Sequence, residues 1–168
     1  MDLKKFKLEP FYKLDQEWAL LTAGKKDKFN TMTISWGGFG TLWNKPIVTV
    51  YVKPIRYTYQ FMEENEYFTI SFYEKEYQKD LGVLGSKSGR ELDKLSLTKL
   101  TPEFLENAVS FYEAELTIVC KKIYFQDLDI THIDNNSIPQ SEIDRFYQNE
   151  PIHRMYIGEV VDIIDKRK

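Results

Sequence analysis

The stretch Asn30-Thr31-Met32-Thr33-Ile34-Ser35-Trp36-Gly37-Gly38 reads as a β-strand that runs into a pair of glycines. In an extended chain successive side chains point to opposite faces, so Thr31, Thr33 and Ser35 share one face and Met32, Ile34 and Trp36 the other. By itself this describes a half-exposed strand with a solvated hydroxyl face, and the glycines after it mark turns. Similar period-two or β-rich runs occur at Trp18 to Ala23, Ile47 to Val52, Tyr67 to Phe72, Ala114 to Tyr124 and His153 to Ile164. Turn signals separate the early ones: Gly24 with Lys25 to Lys28, then Gly37-Gly38-Phe39-Gly40, then Asn44-Lys45-Pro46. Short strands at this spacing predict an antiparallel barrel or sandwich.

Helical pieces are short. Thr58 to Asn65 follows the turn at Pro54, with Thr58 placed to cap it and Phe61 and Met62 to face inward. Thr101-Pro102-Glu103 has the form of a helix start, a threonine N-cap before a proline. Ser141 to Tyr147 is a third candidate. No internal repeat, low-complexity tract or linker divides the 168 residues, so residues 1–168 are expected to form a single domain.

Composition narrows the function classes. A hydrophobic fraction of 42% beside 29% charged residues is that of a globular chain and not of a disordered one. A net charge of -3 argues against a broad nucleic-acid surface, so any phosphate site has to be local. The single cysteine, Cys120, excludes an internal disulfide and a multi-cysteine zinc site, which suits a reducing, cytoplasmic location. Met1 to Pro10 lacks the apolar run of a signal peptide, and no run approaches the ~20 apolar residues of a membrane helix, so a soluble protein without a membrane partner is expected.

Two further segments carry polar chemistry. Tyr51-Val52-Lys53-Pro54-Ile55-Arg56-Tyr57-Thr58 takes a strand through a proline turn into a helix, and there the Arg56 fork, the Thr58 hydroxyl and the first N–H groups of the helix could meet an anion. The plainer alternative is a solvated arginine and a capping threonine. Gly85-Ser86-Lys87-Ser88-Gly89-Arg90-Glu91-Leu92-Asp93-Lys94 sets small residues between glycines and adds three cations, the makings of a phosphate cradle or of a solvated polar loop. Its spacing is not that of a P-loop.

Taken together, these segments resemble the flavin reductase-like family with the FMN-binding split barrel, which includes the flavoredoxins. The family's Asn-Thr-Met-Thr-Ile-Ser-Trp strand stands at Asn30 to Trp36, and its Pro-x-Arg-x-Thr turn at Pro54, Arg56 and Thr58. Its Lys-Ser-Gly-Arg-Asp-x-Asp-Lys loop stands at Lys87 to Lys94, with Glu91 where aspartate is usual. The segment His153 to Val160 looks like the family's closing strand. The resemblance implies a mainly β fold, a split, Greek-key antiparallel barrel with a few short peripheral helices. It also implies an FMN cofactor, with Arg56, Thr58, Ser86, Lys87, Ser88, Gly89 and Lys94 toward the phosphate and ribityl chain. Asn30, Thr31, Met32, Thr33, Ser35 and Trp36 would then lie along the ring.

The activity so implied is that of an NAD(P)H:flavin oxidoreductase working by hydride transfer to flavin N5. The alternative is a flavoredoxin-like electron carrier without a nicotinamide site, and a barrel that binds a small molecule without redox function is a third reading with no positive sign. No Ser-His-Asp or Cys-His nucleophile pattern is seen, as expected where a cofactor carries the chemistry. Of the two histidines, His132 reads as a surface-loop residue, while His153 is a candidate for a place near the ring or a subunit contact. A homodimer, with NADH or NADPH as the small-molecule partner, completes the expectation.

Overall fold

The computed structural model describes residues 3–167. Seven strands form one antiparallel sheet: β1 (Ala19–Lys25), β2 (Lys28–Ile34), β3 (Gly37–Leu42), β4 (Lys45–Val52), β5 (Tyr67–Phe72), β8 (Leu116–Asp127) and β9 (Arg154–Asp165). Their spatial order is β2-β1-β5-β8-β9-β4-β3, which places β2 and β3 at opposite edges. Only Ser35 and Trp36 separate these two edges in the chain. Three Cα-to-Cα steps span at most about 11 Å, so the sheet must curl until its edges meet at one end. That covalent constraint makes the sheet a barrel, split where β2 and β3 do not pair.

The barrel interior is filled by inward residues of alternating strands, among them Leu21, Met32, Ile34, Val48, Val50, Phe68, Ile70, Phe72, Ile118 and Tyr156. Helix α2 (Tyr57–Glu64) closes it with Phe61 and Met62, both buried. A second cluster, with Leu20, Leu81, Leu84, Leu100 and Phe111, lies outside the barrel under α3 (Gln78–Ser86) and the hairpin of β6 (Pro102–Phe104) with β7 (Val109–Phe111). A short helix α1 (Pro10–Tyr12) lies ahead of β1, and α4 (Gln140–Tyr147) sits between β8 and β9. Among the described residues no helix is long and apolar enough to cross a membrane.

The second cluster corrects the reading of the hydroxyl face. Thr31 is buried, and its Oγ1 lies 2.9 Å from Thr22 Oγ1 and donates to Leu21 O. Thr33 donates to Leu81 O on α3. Further round the same outer face, Ser71, Ser110 and Thr117 join in a closed group of buried hydroxyls. Thr31, Thr33, Ser71, Ser110 and Thr117 are therefore satisfied internally beneath α3 and β6–β7, while Ser35 at the end of the face stays exposed and the buried Tyr73 hydroxyl has no partner among the described residues.

Three local expectations fail for identifiable reasons. Gly37-Gly38-Phe39-Gly40 is strand β3 and not a turn. A Cβ on Gly37 would stand 2.9 Å from Thr49 O and one on Gly38 2.9 Å from Thr49 Oγ1, so the glycines permit close approach to β4. The turn instead falls at Trp43 and Asn44, with φ of 51° and 59°, the left-handed pair that matches a tight hairpin. Thr101-Pro102-Glu103 opens β6 and no helix, since Pro102 pairs with Phe111 across the hairpin. Thr58 does not cap α2: Arg56 is the N-cap residue, with no side-chain cap bond, and Thr58 Oγ1 accepts from Asn30 Nδ2 at 2.8 Å.

Candidate functional site

The seam between β2 and α2 holds a cavity of about 170 Å³ lined by Asn30, Met32, Arg56, Thr58, Ser86, Lys87, Ser88, Gly89 and Lys94. Three elements meet there: the middle of β2, the first turn of α2, and the end of α3 with the loop behind it. Asn30 ties the first two together through Thr58. Gly89 permits the third to close, because a Cβ at that position would fall 2.4 Å from Asn30 Oδ1. Arg90 braces the loop from outside, donating to Ile55 O at 3.0 Å and lying over the Tyr57 ring.

The cavity carries unusual charge. Lys94 is 4% exposed, and its ammonium donates to Leu84 O at 2.8 Å and Lys87 O at 3.2 Å. Burial, with the Arg56 guanidinium nearby, pulls its pKa from 10.5 down to about 8. Arg56 donates one bond, Nη2 to Gly85 O at 2.8 Å, and burial lowers its pKa also. Among the described residues neither cation has a carboxylate within salt-bridge distance. Two partly desolvated cations thus face one small cavity, with backbone carbonyls taking their hydrogen bonds and with Glu150 acting on Arg56 only from beyond salt-bridge distance. The first N–H groups of α2 lack intrahelical acceptors and add positive potential at the same point.

A second cavity, about 280 Å³, continues from the first through Met32, Ile55 and Arg56. Its walls are Thr33, Ile34, Ser35 and Trp36 on one side and Tyr51 and Lys53 on the other, with Phe146, Glu150 and His153 closing the end. Trp36 packs edge-on to Phe146, with ring centroids 5.0 Å apart, and lies 5.2 Å from His153. Lys53 donates to Phe146 O at 2.6 Å and pairs with Glu150, which pins the α4 segment over the slot. The site is thus a polar, cationic pocket joined to a flat slot with aromatic walls.

The profile described as "Flavin reductase like domain" matches residues 11–168. The chain belongs to this family. Among solved structures the fold is similar to the flavoredoxin from Methanosarcina acetivorans, at 22% identity and TM-score 0.67 over 89% of this chain and 68% of that one. It is also similar to the FMN-binding protein from Thermus thermophilus, at 18% identity and TM-score 0.67 over 89% of this chain and 70% of the other. A protein with a split barrel domain from Shewanella frigidimarina gives 16% identity and TM-score 0.68 over 96% of this chain and 76% of the other. No curated protein matches by sequence.

Within this flavin reductase-like domain, most of the residues singled out in the sequence are brought to the two cavities, and a few serve otherwise. The Thr31 side chain turns away to Thr22, so only its backbone belongs to the β2 edge. Ser86 Oγ donates back to Gly82 O at 2.9 Å, closing its own helix. Trp36 lies beyond the end of β2 and is 44% exposed, so it is a wall of the slot and not a core residue. His132 stands exposed on the surface, away from the site. Tyr51, Lys53, Phe146 and Glu150 line the slot without having been singled out. Phe146 lay within the candidate helix at Ser141 to Tyr147, but its meeting with Trp36 is a tertiary contact that neither segment announces.

Proposed function

We propose that this chain binds FMN, with the phosphate in the Arg56–Lys94 pocket and the ring in the slot along β2, and acts as an NAD(P)H-dependent flavin oxidoreductase. The observation that carries the reading is the pairing of buried Lys94 with half-buried Arg56, neither with a carboxylate at salt-bridge distance among the described residues, at the head of a slot with aromatic walls. A phosphate dianion supplies the counter-charge that the protein omits, and charge-assisted bonds to it are the strong ones. Arg56, Thr58, Lys87, Ser88, Gly89 and Lys94 would hold that end. The edge strand β2 has one side of its backbone unpaired in the sheet and can offer it to the polar edge of the ring. Met32 and Thr33 of that strand, with Ser35 and Trp36 after it, line the slot, while Asn30, expected along the ring, lies in the Arg56–Lys94 cavity.

Bound FMN would supply reversible hydride acceptance. The protein's part is to bind, to orient and to keep the ring face open: Trp36 and Ser35 sit at the slot's mouth, where a wider apolar hollow of about 970 Å³ lined by Pro10, Phe11, Leu14, Phe39 and Tyr51 adjoins. A nicotinamide would reach the ring from that side. His153 borders the slot and is held neutral, its pKa brought down to about 4 by burial and then by Lys53 against the opposing pull of Glu150. It is the candidate polar partner of the ring's edge.

The test is anaerobic addition of NADH or NADPH to FMN-loaded protein. Loss of the yellow absorbance within turnover time supports the reductase. Retention of colour with both nucleotides, and loss with a reduced carrier protein, would replace it with an electron carrier.

A further inference from the structure

His153 is one of two histidines, and the only one beside the site. Its Nδ1 lies 2.8 Å from the Tyr147 phenol oxygen, across rings packed edge to face at 5.6 Å. Tyr147 sits in the last turn of α4, outside the slot's lining. Its orientation is itself held, since Lys53 lies 5.3 Å from its ring centroid and also donates to Phe146 O and pairs with Glu150.

Two arrangements of the phenol–imidazole bond are conceivable: O–H donating to Nδ1, or Nδ1–H donating to the oxygen. The second would leave the phenolic hydrogen to water alone, because half-buried Tyr147 has no other hydrogen-bond partner among the described residues. The first satisfies the phenol and Nδ1 together. A neutral imidazole with Nδ1 accepting carries its hydrogen on Nε2.

We propose, on the reading that the slot takes a flavin ring, that Tyr147 is a positioning residue: it fixes the His153 tautomer so that Nε2–H is the imidazole's one donor for the slot's occupant. The group it would serve is a carbonyl oxygen or unprotonated ring nitrogen at the ring's edge. A cationic imidazole, with both nitrogens protonated, would lose the bond from Tyr147, and the charged groups facing His153 bear on that balance. Beyond burial, Lys53 disfavours the cation, Glu150 favours it, and Arg56 acts on Glu150. All three charges persist when only the phenol oxygen is removed.

The experiment is long-range proton–nitrogen spectroscopy of uniformly ¹⁵N-labelled, flavin-free protein, with exposed His132 as the second, reference imidazole. Wild type should show His153 as the Nε2–H form with Nδ1 accepting. In Tyr147→Phe the Nδ1–H form should appear and the protonation midpoint of His153 should move up by roughly half to one unit, the size of one lost neutral hydrogen bond. An Nδ1–H form in wild type, or an unchanged tautomer and midpoint in the variant, would overturn the proposal. FMN is then added to the wild type. It should shift the His153 resonances and leave those of His132 in place, and bound FMN without that shift would remove the donor from the site. Failure of FMN to bind counts against the flavin reading, while the tautomer result still decides the role of Tyr147.

Discussion

At the residue scale, three cations in one loop have three fates. Lys87 is exposed, Arg90 braces the loop against Ile55 and Tyr57, and Lys94 is turned inward to the cavity it shares with Arg56. The sequence shows three cations near glycines, but which of them is buried depends on the path of the loop around Gly89, which no local pattern encodes. The depressed pKa of Lys94 makes a directional prediction. An anion bound there holds the proton on, so FMN affinity should be greatest near pH 7, where the phosphate is a dianion and Lys94 is charged, and fall as pH rises through about 8. Lys94→Met should bind FMN roughly 10- to 100-fold more weakly, the loss of one charged hydrogen bond, and should lose that fall at high pH. Fluorescence titrations between pH 6 and 9.5 would check it, and a wild-type affinity flat across that range would tell against the lysine.

His153 gives a second prediction of opposite use. Its pKa is about 4 in the fold and near 6.5 in the unfolded chain, so between those values the unfolded chain binds the proton first. The folded state keeps this advantage intact above about pH 6.5 and loses it as pH falls toward 4. Melting temperature measured over pH 4 to 7 should therefore drop less in His153→Asn than in the wild type.

At the scale of elements, the junction Ser35-Trp36 determines more than any strand. It forces the edges of the sheet together and places the tryptophan at the mouth of the slot. Alternation correctly separated Met32 and Ile34 from Thr31 and Thr33, and a solvated hydroxyl face was the natural reading of one strand in isolation. The burial of that face comes from α3, which went unread because Gln78 to Ser86 carries two glycines within a modest apolar pattern. Strand β3 was hidden for a related reason, since glycines that signal turns also serve where Thr49 approaches closely. Trp36→Phe should alter the absorbance or the fluorescence quenching of bound FMN while changing melting little. An unchanged spectrum with lower stability would make Trp36 a packing residue alone.

At the scale of the whole molecule, the barrel's identity was legible because its strand runs are spaced by turns and its motifs lie in order along nearly the full chain. For assembly the sequence offers only the family resemblance. A homodimer is proposed, and it agrees with the exposed aromatic groups Phe11, Tyr12 and Trp36 around the hollow beside the slot. Sedimentation should give about twice 20.0 kDa at micromolar concentration; a monomer that retains FMN would remove the dimer from the account. The central claim, that the Arg56–Lys94 pocket is built for a phosphate at the head of a flavin slot, is met most directly by titrating the flavin-free protein with FMN and with riboflavin at pH 7. The two ligands share the ring and differ in the phosphate alone. The account predicts that FMN binds at least ~10-fold more tightly, since one charged hydrogen bond to the phosphate is worth about 1.5 kcal/mol or more, whereas equal affinities, or no binding of either, would contradict it.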